Sequence, residues 1–339
     1  MAPSSLRAAD VVSLTLSLGA ASLSAAVLYA QYRAAKRAAP VGAAGKPDKK
    51  EKHLARCRAI ETLIMNRGEA NTKDFRVHVL AKGDEGASTV AELSLWHDVP
   101  LVADGVDASD ARKLFNFICE IPKCTRKKFE VATTEGATPI KQDLHKDGVL
   151  REFKKGDIFF NYGCFPRTWE DPRVTCKDTG CPGDNDPLDV CEIGLRQVRT
   201  GEIRAVKVLG VLAMIDDGET DWKIVAIDAA DMWAPALNDI DDVERLLPGT
   251  VSLIREWFRT YKIADGKPPN RFALNEECRG AAYAHKVIHE THAAWYELVA
   301  NRAGADLGFQ LPRLETLRDV AVDTRIVRSL SQQNLAGSA

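Results

Sequence analysis

Short apolar runs separated by turn residues fill the middle of the chain. They occupy residues 75–80, 115–121, 129–133, 206–215 and 222–227. Runs of this length that are rich in Val, Ile and Phe and bounded by Gly, Pro, Asn or Asp are typical of β-strands. A β-sheet is therefore predicted for the centre of the chain.

Apolar residues spaced three and four apart appear later in the chain. They predict helices at residues 244–247, before Pro248-Gly249, and at 251–261 and 284–302. A short helix is also predicted at residues 314–322. Strands followed by outer helices indicate an α+β fold built on a barrel.

The N-terminal residues 11–31 form an uncharged stretch that is long enough to cross a bilayer of about 30 Å as a helix. Arg7 precedes it. Seven basic residues follow it by residue 52, four of them in a predicted flexible linker at residues 40–52. A cleaved organelle presequence would explain why Asp10 is the only acid before Asp48. An uncleaved membrane anchor would explain the basic flank. A secretory signal is disfavoured because the apolar stretch is too long for one.

The composition limits the class of protein. With 339 residues, of which 45% are hydrophobic, the chain can form one large domain with appendages. The net charge of −2 argues against general nucleic-acid binding, and the sequence has no glycine-rich phosphate loop of the P-loop type. Recognition of phosphate would therefore depend on metal ions and side chains.

Two acidic clusters lie near the later predicted strands, one before the run at 206–215 and one between that run and the run at 222–227. Asp184, Asp186 and Asp189 fall within six residues of one another, and residues 216–221 hold four more acids. Such clusters can be solvated surface, but hard cations such as Mg²⁺ also prefer carboxylate oxygens. The spacing excludes a calcium loop of the EF-hand type, because Leu195 would occupy the position of its final Glu.

Basic and phenolic residues accompany the acids. Lys128, Arg151, Lys223 and Lys262 lie beside apolar strand or helix patterns, with Tyr162 and Tyr261 near them. Carboxylates that hold Mg²⁺, combined with Lys, Arg and Tyr donors, suit a phosphate ester or anhydride.

An ordered set of motifs then carries a family resemblance. The motifs are Glu120-Ile121-Pro122, Lys128-Phe129-Glu130, residues 139–143, Asn161-Tyr162-Gly163, residues 168–172, 183–194, 216–223 and 257–268. Together they span roughly residues 71–301 and resemble family I soluble inorganic pyrophosphatase of the eukaryotic type. The Asp-Asn-Asp-Pro-Leu-Asp signature at 184–189 makes a chance match improbable.

The resemblance implies hydrolysis of pyrophosphate to two orthophosphates with Mg²⁺, a five-stranded OB-like barrel with flanking helices, and a homodimer. It implies that Asp184, Asp189 and Asp221 bind the tightest metal ion, with Asp189 bridging to a second. Further ions would be held by Glu120, Glu130 and Asp216. Asp186 would be the general base, and the phosphate-binding positions would be Lys128, Arg151, Tyr162, Lys223, Tyr261 and Lys262.

One position departs from the fungal form of the family. Ile158 stands where that form has a Tyr, so a proton donor is missing there. Tyr162 or Lys262 would then have to serve the leaving group.

The domains and the alternatives follow from these patterns. Residues 1–52 are predicted to be a targeting presequence or membrane anchor with its linker, 53–303 the catalytic domain and 304–339 a tail, with an organelle location in a mitochondrion or plastid. An alternative function is an accessory docking subunit of an organelle membrane complex with incidental activity. A nonspecific phosphatase is disfavoured, because the resemblance is to enzymes selective for the anhydride.

Two weaker patterns involve soft metal ligands. His285, His289 and His292 would share one helix face, but that helix already has an apolar stripe to pack, so a metal site there is not favoured. Cys176 and Cys181 lack a second pair at the same spacing, which disfavours a zinc ribbon. Reduced thiols are expected.

Overall fold

The computed structural model describes residues 62–81, 91–103, 114–301 and 307–312. The uncharged stretch at 11–31, the linker at 40–52 and the helix predicted at 314–322 lie outside the described residues. Within the described ranges, no helix combines the length and apolar character that crossing a bilayer requires.

Twelve strands are described, and they form two sheets. Their bounds are β1 Thr62–Arg67, β2 Arg76–Ala81, β3 Ala91–Leu93, β4 Leu114–Ile121, β5 Phe129–Val131, β6 Ile140–Gln142, β7 Asn161–Cys164, β8 Asp189–Glu192, β9 Ile203–Asp216, β10 Glu219–Asp228, β11 Arg271–Phe272 and β12 Arg279–Gly280. The smaller sheet has the order β1-β2-β6-β5, with β3 paired to β2. All five predicted strands are confirmed, with ends displaced by at most three residues.

The larger sheet forms a ring of paired strands. β10 pairs with β8 in parallel, and the pairs β8–β7, β7–β4, β4–β9 and β9–β10 are antiparallel, so the pairing returns to its starting strand. β11 and β12 add to β9. The predicted α+β class is confirmed, and the sheet is mixed.

The burial of β9 explains its continuous apolar sequence. Nearly all of its 14 residues are buried. Leu209 and Leu212 belong to one hydrophobic cluster, while Val208 and Val211 pack into another that includes residues of the last helix. A strand covered on both faces needs apolar residues at successive positions rather than at alternate ones.

The turn between β9 and β10 is fixed by its two central residues. Asp217 and Gly218 both have positive φ, 50° and 95°, and Asp216 faces Glu219 across the hairpin. An Asp-Gly pair suits a type I′ turn, whose twist matches that of the flanking strands. The two predicted strands therefore form a hairpin, which places the second acidic cluster at one end of the ring.

Three α-helices follow the strands: α1 Ile240–Leu246, α2 Thr250–Thr260 and α3 Ala281–Ala300. In α1, the carboxylate of Asp239 accepts a hydrogen bond from the backbone N–H of Ile240, and the helix ends before Pro248, as predicted. In α2, Val251, Ile254 and Phe258 lie on one buried face, which packs on the ring. The C-terminal end of α2 thus brings Tyr261 and Lys262 to the ring.

Candidate active site

All thirteen residues to which the sequence assigned a role line one cavity of about 210 Å³. They are Glu120, Lys128, Glu130, Arg151, Tyr162, Asp184, Asp186, Asp189, Asp216, Asp221, Lys223, Tyr261 and Lys262. They come from β4, β5, β7, β8, β9 and β10, from the loops between them and from the end of α2. The fold thus gathers residues that are up to 142 positions apart in sequence into one site.

The loop that carries Asp184 and Asp186 is held by backbone pairing to residues 170–171. Glu170 O accepts a hydrogen bond from Asn185 N at 2.9 Å, and Glu170 N donates to Asp186 O at 3.0 Å. Asn185 adopts a positive φ of 73° and accepts a hydrogen bond from the indole of Trp169. At Gly183, a Cβ would lie 2.5 Å from the carbonyl of Glu170, so only glycine fits. The uncharged residues of the signature therefore fix the loop that bears its acids.

Lys223 lies at the centre of the site. It is two residues from Asp221 on β10, and so on the same face, and it is the register partner of Asp189 on β8. Its ammonium contacts both carboxylates and lies 2.8 Å from the hydroxyl of Tyr162, which donates to Asp189. Burial alone would lower the pKa of Lys223, but attraction to Asp189 and Asp221 outweighs it and raises this pKa well above its ordinary value.

A second group of cations lies around Asp143. The ammonium of Lys128 lies 2.8 Å from both Glu130 and Asp143, and Arg151 also contacts Asp143. Burial opposes the charge of Lys128, but attraction to Glu130 and Asp143 raises its pKa. Sequence reasoning gave Asp143 no role, although it closes one of the matched motifs; in the structure it holds two of the cations in place.

Asp216 receives donors from the end of α2. The hydroxyl of Tyr261 donates to one oxygen of Asp216 at 2.9 Å, and the ammonium of Lys262 donates to the other at 2.5 Å. Both donors therefore share one carboxylate at the tip of β9, which places them beside the cavity.

The carboxylates at the Asp184 end lie close together: Glu170 and Asp221 are buried, Asp184 is half-buried and Asp186 is exposed. We call Glu170, Asp184, Asp186 and Asp221 the acidic cluster. Burial, followed by repulsion between neighbouring acids, raises the pKa of Glu170 and Asp184 well above the ordinary range. Burial is also the main cause that raises the pKa of Asp186 and of Asp221 to about 7. Asp186 is itself exposed to solvent, so the burial that raises its pKa comes from the protein packed around the cavity that it lines. A bound cation would relieve this concentration of charge.

Glu170 is the second residue that sequence reasoning missed. One carboxylate oxygen each from Glu170, Asp184 and Asp221 lies within 4.8 Å of the others. Asp189 is not in this group, and its carboxylate contacts Lys223 and Tyr162 instead. The signal available in the sequence was an acid in the matched motif at residues 168–172, but its neighbours could not be known without the fold.

Three other sequence features have structural roles. Ile158 is buried in the hydrophobic cluster of the ring and does not line the cavity, so no phenol occupies that place. His292 contacts the carbonyl of Arg167 at 2.7 Å, and His285 packs on Phe115. Among the described residues, the group of possible metal ligands is the one around Asp184, not one on α3. The seven described cysteines are free thiols.

The raised pKa values of the acidic cluster predict how the stability of the metal-free protein depends on pH. In metal-free protein its members have higher pKa values folded than unfolded, so between about pH 4 and pH 7 the folded state binds more protons, and the free energy of unfolding falls as pH rises. Thermal unfolding in a chelator should give a Tm that falls from about pH 5 to about pH 8. Saturating Mg²⁺ should flatten this dependence. A Tm that rises over the same range in the chelator would contradict the prediction.

Known inorganic pyrophosphatases are similar to this chain in sequence. The family model described as inorganic pyrophosphatase matches residues 117–296. The inorganic pyrophosphatase of Schizosaccharomyces pombe is 43% identical over 263 residues, which cover 76% of this chain and 86% of that protein. A chloroplastic soluble inorganic pyrophosphatase of Arabidopsis thaliana is 47% identical over 261 residues, covering 76% and 82%.

A solved pyrophosphatase structure is similar to this chain in both fold and sequence. The truncated vacuolar soluble pyrophosphatase of Trypanosoma cruzi, in complex with PPi, is similar with a TM-score of 0.66 and 41% identity, covering 76% of this chain and 96% of that one. The family model covers more than half of the chain, and the relatives align over most of their own lengths. The chain therefore belongs to the inorganic pyrophosphatase family and is an inorganic diphosphatase, which hydrolyses pyrophosphate to orthophosphate.

Proposed function

We propose that the chain hydrolyses pyrophosphate with Mg²⁺, by attack of a water molecule that Asp186 deprotonates. The observation that carries this proposal is the cavity whose lining combines carboxylates with Lys, Arg and Tyr donors. Pyrophosphate is a small polyanion, so the Lys, Arg and Tyr donors suit its phosphoryl oxygens and the carboxylates suit the cations that accompany it. The T. cruzi relative was solved in complex with PPi, which supports the same ligand class.

The residues present fit Mg²⁺. The donors are carboxylate oxygens, which a hard cation prefers, and a buried oxygen of Glu170 has no hydrogen-bond partner among the described residues. Asp184, Asp189 and Asp221 would hold the tightest ion, and Glu120, Glu130 and Asp216 would hold further ions. When bound, such ions lower the pKa of water and stabilise charge on phosphoryl oxygens.

Asp186 is suited to accept a proton. Its carboxylate is exposed to the cavity and forms no ion pair among the described residues, so it is free to meet a water molecule. Its pKa of about 7 is near that of an efficient base at neutral pH, and cations bound nearby would favour its ionised form.

The cationic and phenolic residues would bind substrate. Lys128 and Arg151 are held by Asp143, and Tyr261 and Lys262 are held by Asp216. Held in this way, the donors can meet the charge that spreads over phosphoryl oxygens in the transition state without reorganising. Because Ile158 offers no proton, Tyr162 or Lys262 would serve the leaving phosphate.

The experiment that tests the proposal is phosphate release titrated with Mg²⁺. Pyrophosphate should be hydrolysed in proportion to occupancy by Mg²⁺, while a phosphomonoester should be hydrolysed poorly. Release from pyrophosphate that persists in a chelator would overturn the metal requirement. Equal release from both substrates would favour the nonspecific phosphatase.

The variant Asp189→Ala tests the proposed bridging ligand. Removing a carboxylate shared by two ions should raise the Mg²⁺ concentration for half-maximal activity by about tenfold or more. Glu135→Ala is the matched control, because Glu135 pairs with Arg76 away from the cavity. An unchanged Mg²⁺ titration for Asp189→Ala would show that Asp189 is not a ligand.

Three further features belong to the proposal. We place the catalytic domain at residues 53–303 and regard the ring of strands as the OB-like barrel that the resemblance implies. The chloroplastic relative supports an organelle location. A homodimer is expected from the resemblance. The alternative function as an accessory docking subunit finds no support in the comparisons.

A further inference from the structure

Glu170 is a buried acid whose surroundings call for a positive charge. Its side chain is 4% exposed. One carboxylate oxygen, Oε1, accepts a hydrogen bond from the backbone N–H of Trp222 at 3.1 Å. The other, Oε2, is buried and has no hydrogen-bond partner among the described residues. A buried carboxylate oxygen is costly to leave without a partner.

The neighbours of Glu170 are acids and not bases. Within the described part of the chain, Glu170 forms no ion pair with Lys or Arg, and Asp184 and Asp221 are the charges that act on it most strongly. Its oxygen and one from each of these two lie within 4.8 Å of one another. Oε2 of Glu170 forms no hydrogen bond with either acid, so the three carboxylates do not supply the partner that this oxygen lacks.

Glu170 is fixed in position by the same segments that carry its two partners. Trp222, which donates to it, follows Asp221 on β10. The backbone N–H of Glu170 donates to Asp186 and its C=O accepts from Asn185, both in the loop that holds Asp184. Turning the carboxylate away would break its hydrogen bond from Trp222, so this bond and the backbone pairing together hold it in place, as a preorganised ligand is held.

We infer that Glu170 is a ligand of the ion bound by Asp184 and Asp221, with Oε2 as its donor atom and a hard divalent cation as the ligand class. The inference rests on the proposed metal site and adds a residue to it. Oε1 accepts the hydrogen bond from Trp222, which positions the carboxylate, and Oε2 supplies negative charge to the ion. Glu170 thus stands behind the cavity wall, bordering the neighbouring groove lined by Gly183 and Trp222.

The test is metal binding by Glu170→Gln in the absence of pyrophosphate. The amide oxygen of Gln can still accept from Trp222, whereas the charge is lost, so the fold should be retained. Isothermal titration with Mn²⁺ and with Mg²⁺ should show binding weakened by about tenfold or more at the tightest site. Binding equal to that of the unchanged protein would overturn the inference.

Glu192→Gln is the matched control. Glu192 is a fully buried glutamate that accepts hydrogen bonds from Asp228 and Gly194, and it does not line the cavity. The Glu192→Gln variant loses a buried negative charge that does not line the cavity, so this variant should bind metal as tightly as the unchanged protein does. If Glu192→Gln weakened binding as much as Glu170→Gln, the effect would come from general destabilisation, and the inference would fail.

Asp184→Asn separates the inference from the proposal beneath it. If Asp184→Asn weakens binding and Glu170→Gln does not, the metal site stands and the role of Glu170 is refuted. If neither variant changes binding, the proposed site itself is wrong. Should Glu170→Gln not fold, as judged by circular dichroism, Glu170→Asp decides: its shorter carboxylate should bind metal more weakly, and unchanged affinity would refute the inference.

Discussion

Replacing Asp186 with Asn is expected to lower kcat for pyrophosphate by about 10²-fold or more, the loss typical of removing a positioned base. The backbone N–H of Asp186 donates to Asp184 and its carbonyl accepts from Glu170, so the contacts that hold the loop do not use its carboxylate. Asn has nearly the same shape and should preserve the loop. The loss should therefore fall on turnover and not on the affinity for the tightest metal ion.

Steady-state phosphate release at saturating Mg²⁺, together with metal titration, measures the two effects separately. Asp171→Asn is the matched control, because Asp171 lies near the same loop but pairs with Arg173 outside the cavity. Its kcat should be close to that of the unchanged protein. Near-normal turnover by Asp186→Asn would remove Asp186 from its proposed role.

Replacing Lys223 with Met is expected to lower the free energy of unfolding of the metal-free protein by roughly 3–5 kcal/mol, the usual cost of breaking a buried ion pair from one side. Lys223 is 2% exposed, and its ammonium contacts both Asp189 and Asp221. Met keeps an apolar stem of similar length but leaves the two carboxylates without their cation, and it also removes the ammonium that lies 5.1 Å from the centre of the Phe258 ring. Activity should fall as well, because a proposed phosphate ligand is lost.

Urea unfolding with and without Mg²⁺ measures this loss of stability. Mg²⁺ should restore part of it, because a bound cation compensates the carboxylates that Lys223 no longer meets. Lys267→Met is the control: Lys267 is mostly exposed and its contact with Asp217 is 3.3 Å, so its loss should cost about 0.5 kcal/mol or less. Equal stability of Lys223→Met and the unchanged protein would show that the buried acids do not depend on Lys223.

The fold was most predictable where burial leaves a local pattern. β9 and β10 are long apolar runs joined by Asp217-Gly218, and α2 shows its buried face in the spacing of Val251, Ile254 and Phe258. β6, β7 and β8 were not predicted. They have three or four residues each, too few to show a period, and they exist because neighbouring strands pair with them.

The residues of the candidate site likewise fall into those that a local pattern indicated and those that it did not. The matched motifs contain twelve of the thirteen residues, all but Arg151, because each motif lies in a short segment that can be recognised without the rest of the chain. Asp143 and Glu170 were not given roles, although both lie in matched motifs. Asp143 contacts Lys128 and Arg151, and Glu170 lies beside Asp221. Only folding brings these residues close to one another, so their importance could not be seen in the sequence.

The sequence by itself determined the family, the reaction and the residue types of the site, because spacing within short motifs is a local property. The tertiary structure decided the electrostatics. It placed Lys223 between Asp189 and Asp221, and it left an oxygen of Glu170 buried beside Asp184 without a partner among the described residues. Burial and distance between groups far apart in the chain set those charges and pKa values, and no local pattern encodes them.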